Sequence, residues 1–243
     1  MSLSKEELDK TAQEYHQQDV LEDKHIEGAC QEYSFDWVFR HIDSTDKVLE
    51  MGYGDGLFSK ALHDRKINFS LLEGAASLVQ AAKNLYPQLP VYHELFEEFA
   101  PQERFDLILA THVLEHVDDP VALLQRMKSW IQPNGRILII VPNQESLHRR
   151  LAVTMGLQPQ LDTLGKRDLL VGHQRVYSLQ TLEEDLNHAG FQVINRTGFF
   201  LKTLPNSMMK EYSPELIQAL NVISSEIPPQ WLANIGVLAT LTT

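Results

Sequence analysis

Apolar and polar positions along this chain follow two alternating periods, and the switches between them predict its elements. Residues 48–51 read as a buried strand, and Leu57, Phe58, Ala61 and Leu62 follow at helical spacing. The exchange then repeats. Residues 69–73 read as a second strand, and Leu78, Val79, Ala82 and Leu85 as a helical face closed by Pro87. Residues 91–93 and 105–110 read as the third and fourth strands. Asp118-Asp119-Pro120 sets acidic residues and then proline where a helix begins, with Val121, Leu124, Met127 and Ile131 as its apolar side. Pro133-Asn-Gly135 predicts a turn, and residues 136–141 a strand apolar enough for the middle of a sheet. Strands alternating with helices predict a parallel sheet covered on both faces.

After Asn143 the rhythm breaks, and roughly 35 residues precede the next long helix, a connection of the length that usually carries function. Within it Leu147, Leu151 and Met155 form a short apolar stripe. Ser178 or Thr181 then caps a helix that buries Leu182, Leu186 and Ala189 and ends at Gly190. Residues 191–194 and 235–240 complete seven strands, separated by a helical insertion near 214–225. Two divisions follow. Residues 1–46 form an N-terminal helical cap segment laid across the carboxyl ends of the strands. Residues 47–243 form the main domain, with substrate-side insertions at about 143–178 and 202–234.

Composition narrows the classes of function. Hydrophobic residues make up 43% of 243, enough for one sizeable core. No apolar run of about 18 residues is present to span a membrane. The sequence opens on polar and acidic residues without the apolar stretch of a signal peptide, and Cys30 is the single cysteine. An intrachain disulfide and a cysteine-based zinc cluster are thereby excluded, and a reducing cytoplasm is expected. A net charge of −12 repels polyphosphate, and the densest basic cluster, His148-Arg149-Arg150, is too short for a nucleic-acid track. The expected partner is therefore a small molecule, with no nucleic acid and no membrane. A homodimer stays open.

The most informative segment is Glu50-Met-Gly52-Tyr-Gly54-Asp-Gly56. A strand runs into three alternating glycines and then a helix, which lets the backbone turn tightly and a ligand approach closely. In a parallel sheet this turn lies at the carboxyl ends of the strands, where ligands bind. The spacing is not that of the dinucleotide fingerprint. Glu50 would also repel a pyrophosphate and suits a cationic amino group. Glu73, about 20 residues beyond the glycines, is placed to accept hydrogen bonds from ribose hydroxyls.

On these motifs the chain resembles the class I S-adenosylmethionine methyltransferases, of the type that includes the ubiquinone-biosynthesis enzymes. Phe105-Asp106-Leu-Ile-Leu-Ala-Thr111-His112-Val-Leu-Glu115-His116-Val matches the family's fourth-strand motif. Pro133-Asn-Gly135 through Pro142-Asn143 matches its fifth strand, and Gly172-His173-Gln-Arg175-Val-Tyr177 is similar to a segment found in members of the group. The resemblance implies a Rossmann-like, seven-stranded, mostly parallel α/β sheet with helices on both faces and helical cap insertions. It implies S-adenosylmethionine as methyl donor, with S-adenosylhomocysteine as product. Glu50, Gly52, Gly54, Gly56 and Glu73 would hold the donor, Thr111 and His112 would border its methionine portion, and Phe96 its adenine. The common Asp-Ala pair is missing near Phe96. An N-terminal aromatic, Tyr15, is the candidate to close over the donor.

Methyl transfer asks the protein to align a nucleophile with an already activated methyl group and to exclude water. A hydroxyl nucleophile gains from a base of near-neutral pKa, most often histidine. His173 is the first candidate base and His112 the second, with His188 read as a surface residue. His148, Arg149, Arg175 and Tyr177 are the candidate substrate-binding residues, and basic groups there suit a carboxylate or phosphate. No metal is expected, because Asp118-Asp119 reads as a helix cap. The expected activity is O-methylation of an acidic metabolite or sugar derivative. N-methylation and a non-catalytic, donor-binding partner subunit stand as alternatives.

Overall fold

The computed structural model describes residues 4–17 and 24–242. Seven strands form one sheet in the order β3-β2-β1-β4-β5-β7-β6. β1 (Lys47–Met51), β2 (Asn68–Leu72), β3 (Val91–Tyr92), β4 (Phe105–Thr111) and β5 (Ile131–Pro142) are parallel. β7 (Asn234–Leu241) runs antiparallel between β5 and β6 (Phe191–Phe199). The strand order reverses between β1 and β4, which opens a crevice beyond their carboxyl ends.

Each strand alternates its side chains between two cores. Leu49 and Met51 face α6 (Pro120–Trp130) and α9 (Leu179–Ala189), which bring Leu124, Met127, Leu182 and Leu186. Val48 faces α3 (Phe35–Arg40) and α4 (Leu57–Asp64), which bring Val38, Phe58 and Leu62. On this second side, α5 (Ala76–Leu85) packs Ala82 against Leu71. Period-two burial on the strands and 3.6-residue burial on the helices is the pattern that the sequence carries.

Helix starts follow side-chain chemistry. Asp119 accepts the Ala122 N–H at 2.8 Å ahead of Pro120. Ser178 and Thr181 form a reciprocal capping box for α9, and Gly190 closes that helix at φ +84°. Two expectations are corrected. Ile131 pairs with Phe105 and opens β5, so Trp130 is the buried end of α6. The Pro133-Asn-Gly135 turn is an irregularity inside β5, between the Ile131 and Arg136 pairings.

Of the remaining α-helices, all but the last line the crevice. They are α1 (Lys5–Gln17), α2 (Lys24–Glu32), α7 (Leu147–Thr154), α8 (Lys166–Leu170), α10 (Asn206–Met209) and α11 (Pro214–Ile223). The stripe expected for α7 does not form its buried side. Arg149 and Ala152 are buried, while Met155 is 52% exposed. No helix among the described residues is long and apolar enough to cross a membrane.

Candidate active site

The glycine turn explains its own sequence. Gly52, Gly54 and Gly56 all have positive φ, at +79°, +52° and +73°. Side chains rarely adopt that region, so three such residues in five positions require glycine. Gly54 has nothing within 4 Å of where a Cβ would stand, so its backbone is open to a close ligand. Gly56 begins α4 and lies under the Tyr53 side chain, so its role is in the turn.

Two carboxylates stand behind the turn. Glu50 is 1% exposed, and its Oε2 accepts the Ser59 hydroxyl at 2.6 Å. Burial pushes its pKa up to about 8, and the nearby Glu73 adds to the rise. Glu73 accepts the Tyr53 N–H at 2.8 Å on one oxygen and the Ala75 N–H at 2.7 Å on the other. Burial also raises Glu73, against the pull of these backbone donors. Among the described residues no cation pairs with either acid. A ligand carrying an amino group and a sulfonium would supply the missing positive charge. Each Glu73 oxygen also keeps a free lone-pair direction for a ribose hydroxyl. The residues present fit S-adenosylmethionine.

These groups line one end of a cavity of about 890 Å3. Phe96 and Thr111 also line it, and the Phe96 ring approaches Gly52. Leu8 and Ala12 of α1 and Cys30 and Gln31 of α2 cover it. The side chain of Tyr15 falls outside the described residues.

At the end of β4, His112 holds a non-glycine φ of +56°, a strained state of the kind that concentrates at functional sites. Its Nδ1 lies 3.1 Å from Oε1 of Glu115. Glu115 is 0% exposed, and its other oxygen has no hydrogen-bond partner. Burial would raise this acid, but His112, His116 and His173 together hold it below the usual carboxylate range. Burial lowers His116 to about 4, so it is neutral. The His116 and His173 rings meet edge to face at 4.7 Å. Glu115, His116 and His173 present ligand atoms within 4.8 Å of one another. Such a set of donors is one that could hold an ion.

His173 sits on the cavity wall with Nδ1 3.2 Å from Oδ1 of Asp168. An ionised carboxylate only accepts, so a proton lies on Nδ1, and in the neutral ring Nε2 keeps its lone pair. Asp168 is itself fixed by the Gly165 N–H and the Arg149 guanidinium, both at 2.8 Å. Burial would raise Asp168, but His173, Arg149 and the Gly165 N–H outweigh it, and its carboxyl lies well below the usual range. Arg149 also donates to the carbonyls of Leu161 and Thr163. Sequence reading missed Asp168 and Ser59. The signal for Ser59 was a small hydroxyl within the apolar face of α4.

Two expected substrate residues are corrected. Arg175 donates to the carbonyls of Leu114 and Asp118, both at 3.0 Å, and also to that of Val117. Its guanidinium is therefore committed to tying the chain after β4. Tyr177 is 2% exposed, bridges to Asn143 in parallel register and donates its hydroxyl to Asp185 at 3.2 Å. Both lie outside the cavity wall. The 172–177 segment is a strap: Gln174 bonds the Glu115 carbonyl through its N–H, and its side chain bonds the His116 carbonyl. His148 and Arg149 line the cavity, and His188 is exposed at the end of α9.

Residues 24–196 match the model of the methyltransferase domain. The chain belongs to the methyltransferase-domain family. That places it among the class I S-adenosylmethionine-dependent methyltransferases, related to the ubiquinone-biosynthesis enzymes. It is 31% identical over 111 residues to a ubiquinone biosynthesis O-methyltransferase of Rhodopseudomonas palustris, covering 44% of each protein. It thus spans under half the length of that relative. It is 24% identical over 207 residues to a trans-aconitate 2-methyltransferase of Azoarcus, covering 78% of this chain and 82% of the relative. In fold it is similar to the Burkholderia thailandensis 1,6-didemethyltoxoflavin-N1-methyltransferase, whose structure holds S-adenosylhomocysteine. The TM-score is 0.56 at 16% identity, covering 88% of this chain and 79% of that one. A Mesorhizobium loti S-adenosylmethionine-dependent methyltransferase gives a TM-score of 0.60 at 15% identity, covering 85% and 97%.

Proposed function

We propose that this protein transfers the methyl group of S-adenosylmethionine to a hydroxyl of a small acidic molecule, with His173 as general base. The observation that carries the reading is the Asp168–His173 pair on the wall of the cavity that the glycine turn also lines. Asp168 holds the imidazole in the tautomer that leaves Nε2 able to take a proton. The Arg149 ion pair keeps Asp168 ionised while it does so. His112 is the second candidate: a carboxylate, Glu115, likewise holds its Nδ1, but its backbone is fixed in a strained state.

The donor end needs little chemistry beyond position. Glu73 would hold the ribose hydroxyls, the open backbone at Gly54 would lie against the donor, and Glu50 would face its positive charge. Thr111 and Phe96 would border the methionine and adenine portions. The α1, α2 and α7–α8 segments would exclude water, which favours in-line transfer. The trans-aconitate enzyme among the relatives acts, by its name, on a carboxylate-rich acid, which supports an acidic acceptor.

The test is turnover with methyl-labelled donor against matched sets of hydroxy acids and amino acids. Methylated hydroxy acids are expected. Labelling of the amines alone would replace this reading with N-methylation. Donor binding without turnover of either set would favour the non-catalytic subunit.

A further inference from the structure

Among the described residues, the capped end of the cavity holds more cations than carboxylates paired to them. Arg149 is paired with Asp168 at 2.8 Å, and Arg167 with Glu27. Both acids are otherwise engaged. Asp168 also holds His173 and the Gly165 N–H, and the other Glu27 oxygen accepts from Asn206 at 3.3 Å. Lys202 is a further cation. It lines the same cavity, and among the described residues no hydrogen-bond acceptor or carboxylate pairs with its ammonium. Cys30 does not serve as its counter-ion, because burial pushes that thiol far up and keeps it neutral. A half-buried ammonium without a partner is costly, and proteins rarely leave one so.

The backbone works to hold this lysine in place. Phe200, fully buried, takes a φ of +64°, a state uncommon for a bulky residue. Its carbonyl accepts the N–H groups of both Lys202 and Ala233, and the Leu201 N–H donates to the Ser224 hydroxyl at 2.8 Å. His148 lines the same end, and its Nδ1 is likewise buried without a partner. Resting on the methyltransferase reading above, we propose that Lys202, beside His148, anchors a compact oxyanion of the methyl acceptor, a carboxylate or a phosphate. With its charge held at Lys202, the acceptor extends the rest of the molecule toward the donor. Burial, together with Arg149 and Arg167, lowers the Lys202 pKa against the opposing pull of Cys30 and Glu27, and a bound anion raises it again.

The test is calorimetric titration of the protein loaded with S-adenosylhomocysteine, using citrate in one series and inorganic phosphate in the other. Wild type is expected to bind one equivalent of at least one probe, and the stronger probe tells carboxylate from phosphate. Lys202→Met should weaken that binding at least tenfold, while Lys202→Arg stays within a few fold of wild type and all three proteins keep the same affinity for S-adenosylhomocysteine. Equal binding by wild type and Lys202→Met overturns the proposal, as does no binding of either probe by the loaded wild type. Failure of the wild type to bind S-adenosylhomocysteine breaks the methyltransferase reading instead. Should Lys202→Met not fold, side-chain NMR of 15N-lysine-labelled wild type decides the matter. Citrate or phosphate must raise the Lys202 pKa, and an unmoved titration overturns the proposal.

Discussion

The two ends of the cavity are built on opposite plans. The donor end is built around one continuous stretch of chain and Glu73, is shaped by backbone angles, and among the described residues holds two buried acids without a paired cation. The proposed acceptor end draws on α2, α7, α8 and the segment after β6, is shaped by side chains, and among the described residues holds Lys202 without a paired carboxylate. A cavity with acids awaiting a cation at one end and a cation awaiting an anion at the other can orient two different ligands. The difference also separates what is common to a family from what singles out one acceptor. Backbone geometry tolerates little change, whereas a wall of side chains from short helices can be rebuilt piecemeal.

The sharpest way to break the comparison is to remove the proposed base, His173. His173→Ala should lower turnover by about 100-fold or more, while the S-adenosylhomocysteine dissociation constant stays at the wild-type value. Normal turnover in a folded variant would move the base to His112 or leave catalysis to alignment alone. Next in size, Glu73→Ala should weaken S-adenosylhomocysteine binding by about 1–3 kcal/mol in calorimetry and leave citrate binding to the empty protein unchanged. Parallel loss of both would show that the two ends are one site.

Arg175→Met tests the strap. It strips the carbonyls of Leu114, Val117 and Asp118 of their donor and should cost about 2 kcal/mol in denaturant unfolding. A variant of wild-type stability that loses acceptor binding would return Arg175 to the substrate.

The smallest effect concerns Glu50. Its folded pKa of about 8 exceeds the unfolded value of 4.5, so the folded protein binds the extra proton. That contribution is complete below pH 4.5 and fades as pH rises toward 8. Unliganded wild type should therefore lose about 1 kcal/mol more than Glu50→Gln between pH 6 and 7, read from paired urea titrations. S-adenosylhomocysteine binding at pH 7 should release a proton, seen as a dependence of binding heat on the buffer. Identical pH slopes for the two proteins would show that Glu50 is already ionised.

How much was legible from the residues follows the same division. The donor end was readable because its determinants are local: positive φ needs glycine, and Glu50 and Glu73 close adjacent strands. The strands and the α6 and α9 helices were readable because their burial follows the elementary periods. Ile131 was misread because a helix and a strand meet there without a polar break. The acceptor end was not readable from spacing. α7 buries Arg149 in place of its leucines, since a guanidinium can satisfy two loop carbonyls and an acid at once. Arg175 looked like a ligand group because the carbonyls it binds lie some 60 residues away in sequence. Lys202 had one visible mark, a lone charge following Phe199, Phe200 and Leu201.

The placement of β7 bears on how the chain acquires its shape. The last strand in sequence lies inside the sheet, between β5 and β6, and its neighbour Ala233 bonds both Phe200 and Asn143. Until residues 234–241 arrive, β6 has no strand beside it and the cavity lacks part of its wall. During synthesis the amino-terminal five strands can therefore condense first, while β6 waits as an exposed edge for its inner partner. Refolding should show the glycine-turn region protected from hydrogen exchange before β6, with the final phase set by closure of β7 over a long sequence separation.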